Sequence, residues 1–325
     1  MHLMKKFSVP AVALLLVAAA LSGCGNSSKP ASPIKTTGMN GATAVDIARA
    51  SDAIAANPTL VNENLYADPT PMTFSTAVGA ALEGDEPAPG FHRPMRWWRS
   101  IESSTRTVDL TFGDPDSTGR PTTALATVHR HLLGKFHVVF PDTSAPDSFR
   151  VVTKPLDDSW TRKLALHRRL KPDDDDTTAT FDRDDWRVVG TSGVLVNSAG
   201  STVNILSVRV QAGTLDTTIT DPLALHRLRR FECFHGMDLV HLTVTTNHND
   251  DIVVFYRDGE RRPFTGHGDG TYTIDYVGWD FGGLRHVGVN AFARGTITSE
   301  TYPYDSQAWL VPFVARDGDA EIEHR

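Results

Sequence analysis

The chain has only two cysteines, Cys24 and Cys233, in 325 residues. A disulfide-stapled scaffold needs several pairs, so that class is excluded and stability has to come from packing. Basic residues are not in excess either: 32 Lys and Arg stand against 39 Asp and Glu, a formal charge of −7. Affinity for a phosphate backbone comes from clustered cations, so no nucleic-acid partner is expected. The longest apolar stretch, Val9 to Ala20 broken by Pro10, falls short of the ~20 residues needed to span a hydrocarbon core about 30 Å thick. No G-x-S-x-G, H-E-x-x-H, Walker or dinucleotide-binding pattern occurs, which lowers the expectation of an enzyme. No catalytic residue and no cofactor are assigned from the sequence.

What is present begins with Lys5 and Lys6, the apolar run, and then Leu21-Ser22-Gly23-Cys24. That is the layout of an export signal. The four residues resemble the lipobox of bacterial lipoproteins. The resemblance implies that residues 1–23 are removed and that Cys24 becomes the first residue, carrying diacylglycerol and palmitate. Two or more acyl chains hold a protein at a membrane, where one binds only marginally. In two-membrane bacteria an Asp after the cysteine commonly retains such proteins at the inner membrane. Here the position is Gly25, which points to the outer membrane if the host has one. Loss of residues 1–23 removes two lysines and no acid, so the remainder is more acidic still and gains nothing from anionic headgroups.

Residues 24–41, rich in Asn, Ser, Thr, Pro and Gly, read as a flexible tether. The spacing of Val45, Ala48, Ile54 and Ala55 predicts one short helix over Thr43–Ala56, stopped by Asn57-Pro58, and the rest of 42–90 reads as irregular extended chain. From residue 91 the pattern is all-β. An antiparallel domain is expected over 91–234, with strand runs at Thr105–Phe112, Ala124–Leu133, Phe136–Phe140, Phe149–Thr153, Lys163–Leu170, Val203–Val210 and Leu223–Phe231. Asn197-Ser198-Ala199-Gly200 is a hairpin candidate. The runs Leu164–Leu170 and Leu223–Arg229 echo each other, with Ala126–Leu132 a fainter copy. Strand patterning alone produces such likeness; a true duplication would put His167 and His226 in equivalent places.

Residues 235–317 offer strands at Leu239–Thr245, Ile252–Tyr256, Thr271–Tyr276, Arg285–Ala293 and Ala308–Ala315, with the turn Gly268-Asp269-Gly270-Thr271-Tyr272. This part resembles a disulfide-free bacterial immunoglobulin-like domain, which implies a two-sheet sandwich. Residues 318–325 are a tail.

Four clusters could carry chemistry. Asp114, Asp116 and Thr118, with Gly119 at the sixth position, start like a calcium loop, but the twelfth position is Leu125 rather than a bidentate Glu, which favours a polar hairpin. Seven carboxylates between Asp173 and Asp185 read as a solvated loop. Cys233, His235 and His241, with His248, His267 and His286 beyond, offer soft and imidazole ligands without the paired spacing of a zinc site. Arg96, Trp97, Trp98 and Arg99 form the densest basic and aromatic cluster, suited to headgroups or to stacking on sugars and cations. The expected function is a membrane-anchored, non-catalytic binding or structural module with an envelope protein or glycan as partner. A metal-assisted envelope hydrolase and a carrier of lipid or another small apolar ligand are the alternatives.

Overall fold

The computed structural model describes residues 33–61, 72–73, 96–141, 148–170, 184–227, 233–235, 238–257, 260–278 and 283–316. Cys24, Asp173 to Asp176 and Asp182 lie outside them. In chain order the elements are β1 (Ile34–Thr36), α1 (Ala44–Ala55), α2 (Pro58–Val61), β2 (Met72–Thr73), β3 (Arg96–Phe112), β4 (Thr123–Pro141), β5 (Phe149–Leu170), β6 (Asp184–Ser198), β7 (Ile205–Ala212), β8 (Leu215–Ile219), β9 (His226–Arg227), β10 (Cys233–His235), β11 (Leu239–Thr246), β12 (Ile252–Arg257), β13 (Glu260–Pro263), β14 (Thr265–Gly266), β15 (Thr271–Val277), β16 (Gly283–Phe292), α3 (Arg294–Thr298) and β17 (Ser306–Arg316). The protein is all-β, and among the described residues α1 is the one helix of substantial length.

A large sheet runs β1-β3-β4-β5-β6-β17-β16-β12-β13, and a smaller one runs β14-β15-β11-β7-β8. The large sheet is antiparallel apart from β1 on β3 and β10 on β17. Strand pairing crosses the 234/235 division expected from the sequence, because β7 pairs with β11 and β6 with β17. Five expected C-terminal strands are present as β11, β12, β15, β16 and β17.

The strands β12, β16 and β17 are buried without alternation, through Ile252–Tyr256, Val287–Phe292 and Ser306–Phe313. Their sequences (IVVFY, VGVNAF, SQAWLVPF) are correspondingly mostly apolar and do not alternate, as expected for strands covered on both faces. One face places Val254, Tyr256, Phe292 and Leu310 in a core with α1 and β3–β6. The other places Val253, Phe255, Val289 and Trp309 in a second core, closed by Val208, Val210, Leu242 and Tyr272 of the smaller sheet. The three strands are thus a wall shared by two cores.

Several sequence expectations are corrected. Residues 34–36 are not tether but strand, laid on the edge of β3 with Ile34 opposite Val108, where the open ladder of an edge strand accepts them. Ala124–Leu133 and Phe136–Phe140 join into the single strand β4, and Phe149–Thr153 and Lys163–Leu170 into β5. The hydrophobic pattern lapses between the β5 segments because the inward positions there include Lys154, Asp158 and Arg162, all buried. The Asn197–Gly200 candidate is not a hairpin: β6 and β7 belong to different sheets, and the turn at Ala199-Gly200 is a corner between them. Within Leu223–Phe231 only His226-Arg227 is described as strand, and residues 228–231 lie outside the described set. His167, exposed on β5, and His226, half-buried on β9, are therefore not equivalent.

Helix α1 starts where a capping box places it. Thr43 Oγ1 accepts from the Asp46 amide at 3.2 Å, and Asp46 Oδ2 accepts from the Thr43 amide at 2.9 Å. Asp46 is fully buried, and its Oδ1 also receives Arg120 at 2.5 Å and the Trp186 indole at 3.4 Å. Burial raises its pKa, but the Arg120 and Thr43 bonds outweigh that and hold it at about 2, below the ordinary 3.8. A lowered folded-state pKa stabilises fully above the unfolded value and is lost as pH falls through the folded one. Asp46→Asn is expected to lose about 2 kcal/mol at pH 7. The gap to wild type should close between pH 4 and pH 2, measured as urea midpoints; a gap independent of pH would contradict this reading.

Candidate functional site

The Arg96–Arg99 cluster opens β3, and strand alternation splits it between two environments. Trp97 and Arg99 point inward and are fully buried, while Arg96 is exposed and Trp98 half-buried on the outer face. The inward pair is structural. The Arg99 guanidinium lies 5.3 Å from the Trp97 and Phe292 rings and 5.7 Å from that of Phe136. It donates to Asn290 Oδ1 at 2.6 Å, Tyr256 Oη at 2.9 Å and Tyr304 Oη at 3.2 Å. Tyr304 Oη in turn donates to Asp158 Oδ2 at 3.1 Å. The rings around Arg99 belong to the core that β3–β6 share with β12, β16 and β17.

The outward pair begins a surface site. Trp98 stacks on His137 of β4, with ring centroids 4.7 Å apart and planes at 17°. His137 is held in place on both sides: Nε2 is 3.1 Å from Ser100 Oγ and Nδ1 is 3.0 Å from Thr153 Oγ1. Burial, and then the neighbouring Lys135 charge, push its pKa below the usual histidine value, so the imidazole stays neutral near pH 7. Register places Trp98, His137 and Thr153 in one row across β3, β4 and β5, and Arg96, Val139 and Val151 in the next. Val151 and Phe149 are 51% and 55% exposed, large values for side chains of this kind. The outer face thus offers a fixed aromatic ring, hydroxyl and imidazole groups beside it, and an apolar flank.

The other sequence candidates are dispersed. Asp116 closes the β3–β4 connection: Oδ1 accepts from the Thr118 amide at 2.8 Å and from Thr118 Oγ1 at 2.5 Å, and Oδ2 pairs with the buried Arg168 at 2.6 Å. Its carboxylate is occupied by the protein, and Asp114 is exposed on the same loop. His241 on β11 sits 2.5 Å from Asp275 of β15, whereas Cys233 and His235 lie on β10 in the other sheet. Among the described residues, no three His, Cys, Asp or Glu side chains are grouped to hold a metal. Sequence reasoning missed His137 and Thr153 as row partners of Trp98, and Val151 and Phe149 as the apolar positions further along the same face. Only the register of three strands brings them together, and a period-two pattern does not encode register.

No helix among the described residues is long and apolar enough to cross a membrane. Comparison of the chain with protein-family models, with curated proteins and with solved structures finds no match in any of the three.

Proposed function

We propose that the protein is a lipid-anchored lipoprotein of the bacterial cell envelope and acts as a non-catalytic binding module, meeting an envelope glycan on the outer face of β3–β5. The observation that carries the binding reading is the Trp98–His137 stack, with exposed Val151 in the adjacent row and exposed Phe149 one row further along β5. An indole held flat against a second ring offers its free face to the C–H side of a sugar, with the Thr153 hydroxyl in the same row and that of Ser100 in the adjacent row for hydroxyl contacts. The anchor reading rests on the Lys5-Lys6 start, the apolar run and Leu21-Ser22-Gly23-Cys24. The immunoglobulin-like reading of 235–317 is supported by its strand order and by packing of two sheets over one core.

Two measurements test the proposal separately. Cys24→Ala should abolish acylation and move the protein from the membrane to the soluble fraction or leave it unprocessed; unchanged fractionation and mass would remove the lipoprotein reading. For the surface, wild type should co-sediment with purified peptidoglycan sacculi, and Trp98→Ala should weaken this roughly tenfold, about 1.4 kcal/mol. Failure of wild type to sediment, or full retention by the variant, would overturn the glycan site.

A further inference from the structure

The strand β8 is the edge of the smaller sheet, paired with β7 alone among the described residues. It joins β7 through the two-residue turn Gly213-Thr214, closed by Ala212 opposite Leu215. In a two-residue hairpin the closing pair exchanges both backbone hydrogen bonds, and bonded and non-bonded pairs then alternate. Leu215, Thr217 and Ile219 therefore bond to β7, while the N–H and C=O groups of Asp216 and Thr218 face away from it. Edge strands are commonly protected from further pairing by Lys or Pro. The segment Leu215–Ile219 has neither, and Asp216 is held on the sheet face by Arg209 at 2.6 Å and 2.8 Å.

Beside this edge lies a groove of about 190 Å³ between Thr217–Thr220 and Val311–Phe313 of β17, with Asp221, Ala224 and His226 also lining it. The far wall lies between two strand pairings on one side of β17. On the side of β17 opposite β16, β6 covers Gln307–Leu310 and β10 covers Val314–Arg316, which leaves Val311–Phe313 with no strand among the described residues. Pro312, which has no N–H to offer, falls in that gap. Asp221 is the one carboxylate in the lining, and no Lys or Arg accompanies it. Its Oδ1 is engaged by the Leu223 amide at 2.8 Å.

We propose that this edge and groove bind an extended peptide segment by strand addition. The peptide backbone pairs with Asp216 and Thr218, small apolar side chains at alternate positions seat against Val311 and Phe313, and a basic or neutral residue, not an acidic one, lies near Asp221. Main-chain bonds give such a site its affinity, and the pockets for alternate side chains give it selectivity. The site is separate from the Trp98 face and does not depend on the glycan reading.

Panning an octapeptide library against the full chain tests the proposal. Enriched clones should alternate β-branched or small apolar residues and avoid central proline and acidic residues at one end. A synthetic copy of an enriched clone should slow hydrogen exchange at the Asp216 and Thr218 amides. Thr218→Pro removes the outward N–H and spares the β7 ladder, and Ala224→Trp fills the groove; each should weaken binding at least roughly tenfold, while Trp98→Ala leaves it unchanged. If Thr218→Pro fails to fold, Ala224→Trp decides. No enrichment, or clones indifferent to the groove variant, would overturn the inference, and clones lost only in Trp98→Ala would assign peptide binding to the other face.

Discussion

Replacing Arg99 with Met is expected to destabilise the protein by about 3–5 kcal/mol, the range for breaking a buried charged network from one side. Arg99 lies on β3, whereas Tyr256 and Asn290 lie on β12 and β16, strands with which β3 forms no ladder. The guanidinium fork thus ties one end of the curled sheet to strands near the other by side-chain bonds. Met fills much of the volume but leaves the Asn290 carbonyl without its strongest donor. It also leaves the Tyr256 and Tyr304 hydroxyls without the guanidinium N–H groups that reach them. Arg99→Lys keeps the charge and loses the fork, so it should fall between. Urea midpoints of the three proteins measure this. An Arg99→Met midpoint equal to wild type would show that the aromatic box, and not the cation, holds the sheet closed.

The second large effect is expected at Gly193. A Cβ there would stand 2.6 Å from the Leu310 carbonyl oxygen and 2.9 Å from that of Pro222. Both are backbone atoms, so no side-chain rotation relieves the contact. Gly193→Val must push β17 away from β6 or lift the segment at Pro222. Overpacking of this kind costs about 1–3 kcal/mol, and more where backbone has to move. A loss of about 3 kcal/mol is therefore expected, together with faster hydrogen exchange at Val194 and Leu310, which pair across the junction. Wild-type exchange at those amides would contradict the steric account.

Much of this architecture was legible before any coordinates. Thr43 and Asp46 mark the start of α1 through side-chain chemistry that is local in sequence, and the helix runs Ala44–Ala55 against the expected Thr43–Ala56. The five C-terminal strands were legible because each is a short apolar or alternating run between turn residues. The long strands were not. In β5 the inward positions from 154 to 168 read Lys, Leu, Asp, Trp, Arg, Leu, Leu, Arg, all buried. A pattern rule that equates inward with apolar breaks such a strand in two. The cost of burying those charges is met by distant partners: Lys154 Nζ donates to the Thr296 and Ser299 carbonyls beside α3, and Arg162 donates to the Leu60 carbonyl of α2. Burial pushes the Lys154 ammonium down to about 8. Partners more than 100 residues away leave no mark in a sequence window. The candidate surface was half legible for the same reason: the sequence showed Trp98, and strand register supplied His137 and Val151.

The wall shared by two cores has a consequence for timing. The strand β17 is the last of the described strands, and both cores need it: Leu310 on one face, Trp309 and Phe313 on the other. A chain emerging from its N-terminal end can form the β3–β6 meander early, but neither core is sealed until residues 306–313 arrive. Completion of the fold is thereby deferred until β17 has been delivered.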